Sequence, residues 1–133
     1  MVIIKQNRIL SLNISFDIDF SGGDVLAQSS VSLKPIIVPS DKDSVHLFVD
    51  FNFTCESMKD DFDLNAELVM PFHLTNKSEI KQEDFYKCID FTKDRLQKII
   101  NSIFEGQKNS LIVAPIEIDE ISDKLDEHIQ NLR

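Results

Sequence analysis

Residues 7–20 read "NRILSLNISFDIDF", and apolar side chains occupy nearly every second position. Leu10, Leu12, Ile14, Phe16, Ile18 and Phe20 fall on one side, with Ser11, Asn13, Ser15, Asp17 and Asp19 on the other. A period of two is that of a strand buried on one face, so this stretch is the first predicted strand. "SGGD" breaks it, because Gly22 and Gly23 admit backbone angles that other residues avoid. A second strand is predicted over residues 29–38, with Pro35 inside it and Pro39 closing it. Proline has no N–H for a ladder, which places this strand at a sheet edge or gives it a bulge.

After the turn "SDKD", Val45, Leu47, Val49, Phe51, Phe53 and Cys55 alternate with His46, Asp50, Asn52 and Thr54, and Phe48 alone breaks the polar side. The polar turn "ESMKDD" leads to Phe62, Leu64, Ala66, Leu68, Met70, Phe72 and Leu74, which share a face opposite Asp63, Asn65, Glu67 and His73. The third and fourth strands therefore pair antiparallel through a short connection.

From Glu83 the period lengthens. Phe85, Cys88, Ile89, Leu96, Ile99, Ile100 and Ile103 recur at steps of three and four, and the run stops at Gly106, the pattern of an amphipathic helix. "LIVAPIEID" then reads as an extended connection in which Pro115 keeps two helices apart. Ile121, Leu125, Ile129 and Leu132 predict a shorter terminal helix starting near Asp119. The predicted fold class is α+β: a four-stranded antiparallel sheet with one long and one shorter C-terminal helix packed on one face.

Length changes this picture little: residues 1–133 suit one domain. Charge changes it more. A net charge of -9 repels nucleic acid and anionic membranes, and favours basic partners. Cys55 and Cys88 are far apart with no nearby Cys or His spacing, so neither a zinc site nor a disulfide framework is expected. No stretch approaches the roughly 20 apolar residues of a membrane span, and "MVIIKQNRIL" is no export signal, so a cytoplasmic protein without membrane insertion is expected.

Candidate chemistry is sparse. His46 and Asp50 share a strand face but stand four residues apart, about 13 Å. His73 approaches His46 across the third and fourth strands, and an acid–base arrangement with Glu67 or Asp50 is the one catalytic possibility; a solvated polar face is the alternative. No phosphate-binding glycine loop or calcium-loop spacing is present, and neither a catalytic residue, a metal nor a cofactor is expected. The unusual feature is apolar surface on both sides of the chain, at Leu33, Ile36, Ile37 and Val38 and again in "LIVAPI". Such residues lie under a crossing segment or at an interface.

The order of these features resembles the SecB family of protein-export chaperones. "NISFD" (residues 13–17) looks like the family's D-I-S-F-E, and "FTKDR" (residues 91–95) is similar to its F-P-Y-A-R. "EGQKNSLIVAPIEID" (residues 105–119) is similar to R-G-T-F-P-Q-L-N-L-A-P-V-N-F-D, with Gly106, Leu111, Ala114, Pro115 and Asp119 identical. The resemblance implies a homo-oligomer, a dimer of dimers, that holds unfolded polypeptide clients in apolar grooves without ATP. Mapped onto this chain, the groove comprises Phe20, Ile36, Ile37, Val38, Leu111, Val113 and Pro115. Acidic residues that dock the translocase motor SecA in that family correspond to Asp17 and, in the hairpin, Asp60 or Asp61. Asn13 stands where the family has an aspartate, Thr92 where it has proline, and the family's acidic tail has no counterpart after Arg133. Two alternatives follow: a SecB-fold protein dedicated to one partner such as an antitoxin, and a small α+β ligand-binding protein or enzyme using His46, His73 and Glu67.

Overall fold

The structure, a computed structural model, describes the backbone of residues 1–16, 23–57, 62–103, 109–113 and 118–132, and the side chains of residues 1–15, 28–54, 64–102 and 125–132. The strands are β1 (Ile4–Gln6), β2 (Ser11–Phe16), β3 (Gly23–Val38), β4 (Asp41–Ser57), β5 (Phe62–Leu74) and β6 (Asn109–Val113); the helices are α1 (Gln82–Ile103) and α2 (Ile118–Leu132). The fold is α+β, as the change of period from two to 3.6 predicts. The expected four-stranded sheet has six strands among the described residues, in the order β1-β5-β4-β3-β6 with β2 also on β5.

The β4–β5 pairing is the antiparallel one expected, running from Val45↔Leu74 to Ser57↔Phe62. Opposed residues share a face, so Val45, Leu47, Val49, Phe51 and Phe53 join Leu64, Ala66, Leu68, Met70, Phe72 and Leu74 in one buried surface. The predicted second strand is longer than its alternation, beginning at Gly23. Its Pro35 is tolerated because residues 30–38 have β4 as their only strand neighbour among the described residues. The register also shifts between Ile37 and Val38, beyond Pro35.

The first predicted strand is realised as β2, and β1 precedes it on the same edge of β5. Gln6 faces Phe72 and Ser11 faces Val69, so four edge residues (7–10) oppose two of β5 (70–71). Pro71 explains the break. Its carbonyl accepts the Asn7 N–H at 3.0 Å, and a strand residue's N–H and C=O point to the same neighbour, so its missing N–H lies on this edge. A shift of two residues leaves the side-chain faces unchanged, which is why Ile4, opposite Leu74, and Ile14, opposite Ala66, both pack against the core.

Helix α1 covers the inner face with Phe85, Cys88, Ile89, Leu96 and Ile100, all buried. Its predicted start at Glu83 is one residue late, and its predicted stop at Gly106 lies outside the described residues. Asp84, at the third helical position, accepts the backbone N–H of Lys81 at 2.9 Å, closing the first turn as the acidic half of a capping box. Thr92 is buried and donates to the Cys88 carbonyl at 2.8 Å, so its hydroxyl is satisfied within the helix. Burial also pushes the Cys88 thiol up to about 12, with Asp84 nearby adding to it, so the thiol stays protonated as the core-packing role predicts. The side chain of Cys55 lies outside the described residues. Leu125 and Leu132 of α2 belong to the same buried cluster, and Gln82 donates to the Asp126 carboxylate between the two helices. Among the described residues no helix is long and apolar enough to cross a membrane.

Replacing Asp84 by alanine is expected to lower stability by about 1 kcal/mol, the usual cost of a lost helix cap. Urea denaturation checks this: an unchanged midpoint means that the Lys81 contact contributes nothing.

Candidate functional site

Among the described residues two surfaces hold the side chains singled out from the sequence: the sheet face turned away from the helices, and the β3 edge. The cross-strand registers lay out the outer face row by row. Lys5, His73, His46 and Ile36 form one row; Pro71, Phe48 and Lys34 the next; then Ser11, Val69, Asp50 and Ser32; then Asn13, Glu67, Asn52 and Ser30. This is the polar side of the alternation, interrupted by an apolar patch of Phe48, Pro71 and Val69. All three are half-buried.

The histidines meet as expected. His46 and His73 are directly opposed, with ring centroids 5.1 Å apart and planes at 63°. Neither reaches the carboxylates. Glu67 is six residues from His73 along β5, roughly 20 Å, and Asp50 is about 13 Å from His46. An acid–base site made of His46, His73 and Glu67 is therefore not assembled on this face, because hydrogen-bonded catalysis needs contacts of about 3 Å.

The carboxylates instead meet each other. Glu67 and Asp50 lie on adjacent strands one row apart, and the Glu67 carboxyl is raised above its usual range by a hydrogen bond with Asp50, by the Asp50 charge and by desolvation, while a hydrogen bond with Asn13 opposes them. Asn52 Nδ2 donates to the Asp50 carboxylate at 3.3 Å, and Asn13 Nδ2 to Ser11 Oγ at 3.5 Å. Sequence alternation placed these residues on one face, but the diagonal contact of Asp50 with Glu67 follows only from the β4–β5 register.

A raised carboxyl favours the protonated form in the folded state. Its contribution to stability is complete below the ordinary glutamate value of 4.5 and is lost as pH rises through the raised one. Above the raised value the Glu67 carboxylate meets the Asp50 charge as a like-charge contact. Glu67→Gln is expected to raise thermal stability at pH 7 by about 0.2–1 kcal/mol, and to change little at pH 4. A melting series across that range tests it; a stabilisation equal at both pH values contradicts the pairing.

The β3 edge carries Ile36, 40% exposed, and Ile37, 38% exposed. Ile36 opposes His46 on the outer face and Ile37 opposes Val45 on the inner one, so the edge is apolar on both sides. Val38, expected beside them, is buried. Leu111 and Val113 belong to β6, which pairs parallel with Val25 and Ala27 at the opposite end of β3. Ile36 stands eleven positions beyond Val25, about 36 Å, so the two apolar segments lie at the two ends of one strand. Phe20, Pro115, Asp17, Asp60 and Asp61 lie outside the described residues.

No protein-family model matches the sequence, and no curated protein matches it.

Proposed function

We propose that this protein is an ATP-independent holdase of the SecB-like kind, which captures unfolded or extended polypeptide segments. The observation that supports this reading most is the β3 edge: over residues 30–38 it has strand partners on one side only among the described residues, and it exposes Ile36 and Ile37 on opposite faces. An extended client adds a strand to such an edge through main-chain hydrogen bonds other than the N–H that Pro35 lacks; these bonds carry no sequence preference, while alternate client side chains meet isoleucine above and below. Burial of apolar surface supplies the affinity. The net charge of -9 favours clients with basic segments and speeds their capture. The strand–helix–strand–helix order is compatible with the sequence resemblance, which adds assembly as a homo-oligomer.

The test is a native-mass measurement with and without a chemically denatured client, together with light scattering during that client's refolding. An oligomer that binds the client and suppresses scattering is the expected result. A monodisperse monomer without effect on aggregation overturns the proposal.

A further inference from the structure

We propose that His46 and His73 form a two-imidazole chelate for a late first-row divalent metal ion on the outer face of the sheet. The pair is directly opposed across β4 and β5 and is half-buried, so the two strands hold both rings on one side of the sheet. Imidazole nitrogens bind such ions at about 2.0–2.1 Å; adding a ring radius of roughly 1.2 Å puts each centroid about 3.2 Å from the metal. Two ligands at angles of about 90–110° then have centroids about 4.5–5.2 Å apart. The observed 5.1 Å falls in that interval. That separation is compatible with one ion bridging the two rings once a nitrogen of each turns toward it.

The surroundings decide what kind of site this is. Among the described residues no group of three or more His, Cys, Asp or Glu side chains gathers as a metal cage. The ion therefore keeps open positions for water or for a donor from a docked molecule, and binding is weaker than in a closed four-ligand site. Late first-row ions fit imidazole donors, and copper and nickel lead the affinity order. In the same row, Lys5 flanks His73 and Ile36 flanks His46. Lys5 is exposed, which lets its long side chain carry the charge into water. Asp41 lies near enough to His73 to feel its charge; its carboxyl is held below the usual value first by the Ser44 hydroxyl, then by the Asp43 N–H, and in smaller part by His73.

His46 and His73 are 27 positions apart; strand alternation and the antiparallel pairing bring them near, and the register sets them directly opposite. The proposal does not depend on the holdase reading, since the chelate is intrinsic to the hairpin.

The experiment uses Ni²⁺ as the probe and the third histidine, His128 on α2, as an internal control. NMR of the intact protein is expected to show His46 and His73 signals broadening together at substoichiometric Ni²⁺, with His128 unaffected. Calorimetric titration is expected to lose at least tenfold in affinity in His46→Asn and equally in His73→Asn, because one chelate needs both rings. Broadening of His128 alongside the other two, or affinity within twofold of the unmodified protein in either variant, overturns the proposal. The broadening pattern needs no substitution, so it decides the question even where a variant fails to fold.

Discussion

Phe51→Ala is expected to cost about 3–5 kcal/mol, a large part of the 5–15 kcal/mol that typically holds a domain together. Phe51 is fully buried at the middle of β4, opposed to Leu68 on β5 and to Val31 on β3, with the Phe53 ring edge-on at 5.1 Å. Strands on both sides prevent the backbone from closing over the space left behind, so the loss includes a cavity as well as lost transfer energy. The control lies three residues away. Phe48 is on the opposite face, half-buried between Lys34 and Pro71, and Phe48→Ala is expected to cost about 1 kcal/mol, within the range usual for partly exposed sites. Urea denaturation of the two variants measures the difference; equal losses contradict the assignment of faces.

The second large effect concerns the proposed activity. Replacing Ile36 and Ile37 together by threonine preserves β-branched shape and strand propensity while removing apolar surface from the edge. Two such losses at a fully engaged contact are expected to weaken client binding by about tenfold or more, at roughly 1.4 kcal/mol per decade. Stability is expected to change by less than about 1 kcal/mol, because both side chains are more than a third exposed. Anisotropy of a labelled unfolded client, read beside the melting temperature, separates the two quantities. Unchanged client affinity in a folded double variant removes β3 as the capture edge while leaving holdase activity elsewhere on the molecule to be measured by aggregation assays.

Local pattern carried much of the fold. The alternation from Val45 to Leu74 yields both central strands and their buried faces, and the three-and-four spacing from Phe85 to Ile100 yields α1 and its inner stripe. The same pattern hid β1, because Ile4–Gln6 is too short to show a period and its residues oppose β5 only after a two-residue displacement. It also suggested that Ile36, Ile37 and "LIVAPI" line one groove. Composition reports that two segments are apolar, while the distance between them depends on which end of β3 the parallel partner chooses.

The candidate site divides along the same line. Which residues face outward was legible, since each strand side repeats every two positions; His46, Asp50, Glu67 and His73 were all assigned to the polar side. Which of them touch was decided by register. One alignment of β4 with β5 opposes His46 to His73 and leaves Glu67 against Asn52 and diagonal to Asp50. Sequence by itself determined the element types, the buried faces and the acidic surface, because periodicity and charge are properties of neighbouring residues. Only the tertiary structure decided the strand order, the broken edge at Pro71, the stretch of β3 with one strand neighbour among the described residues, and the direct opposition of the two histidines. Backbone hydrogen-bonding groups are nearly alike in every residue, so the choice of partner strand rests on packing the whole core at once.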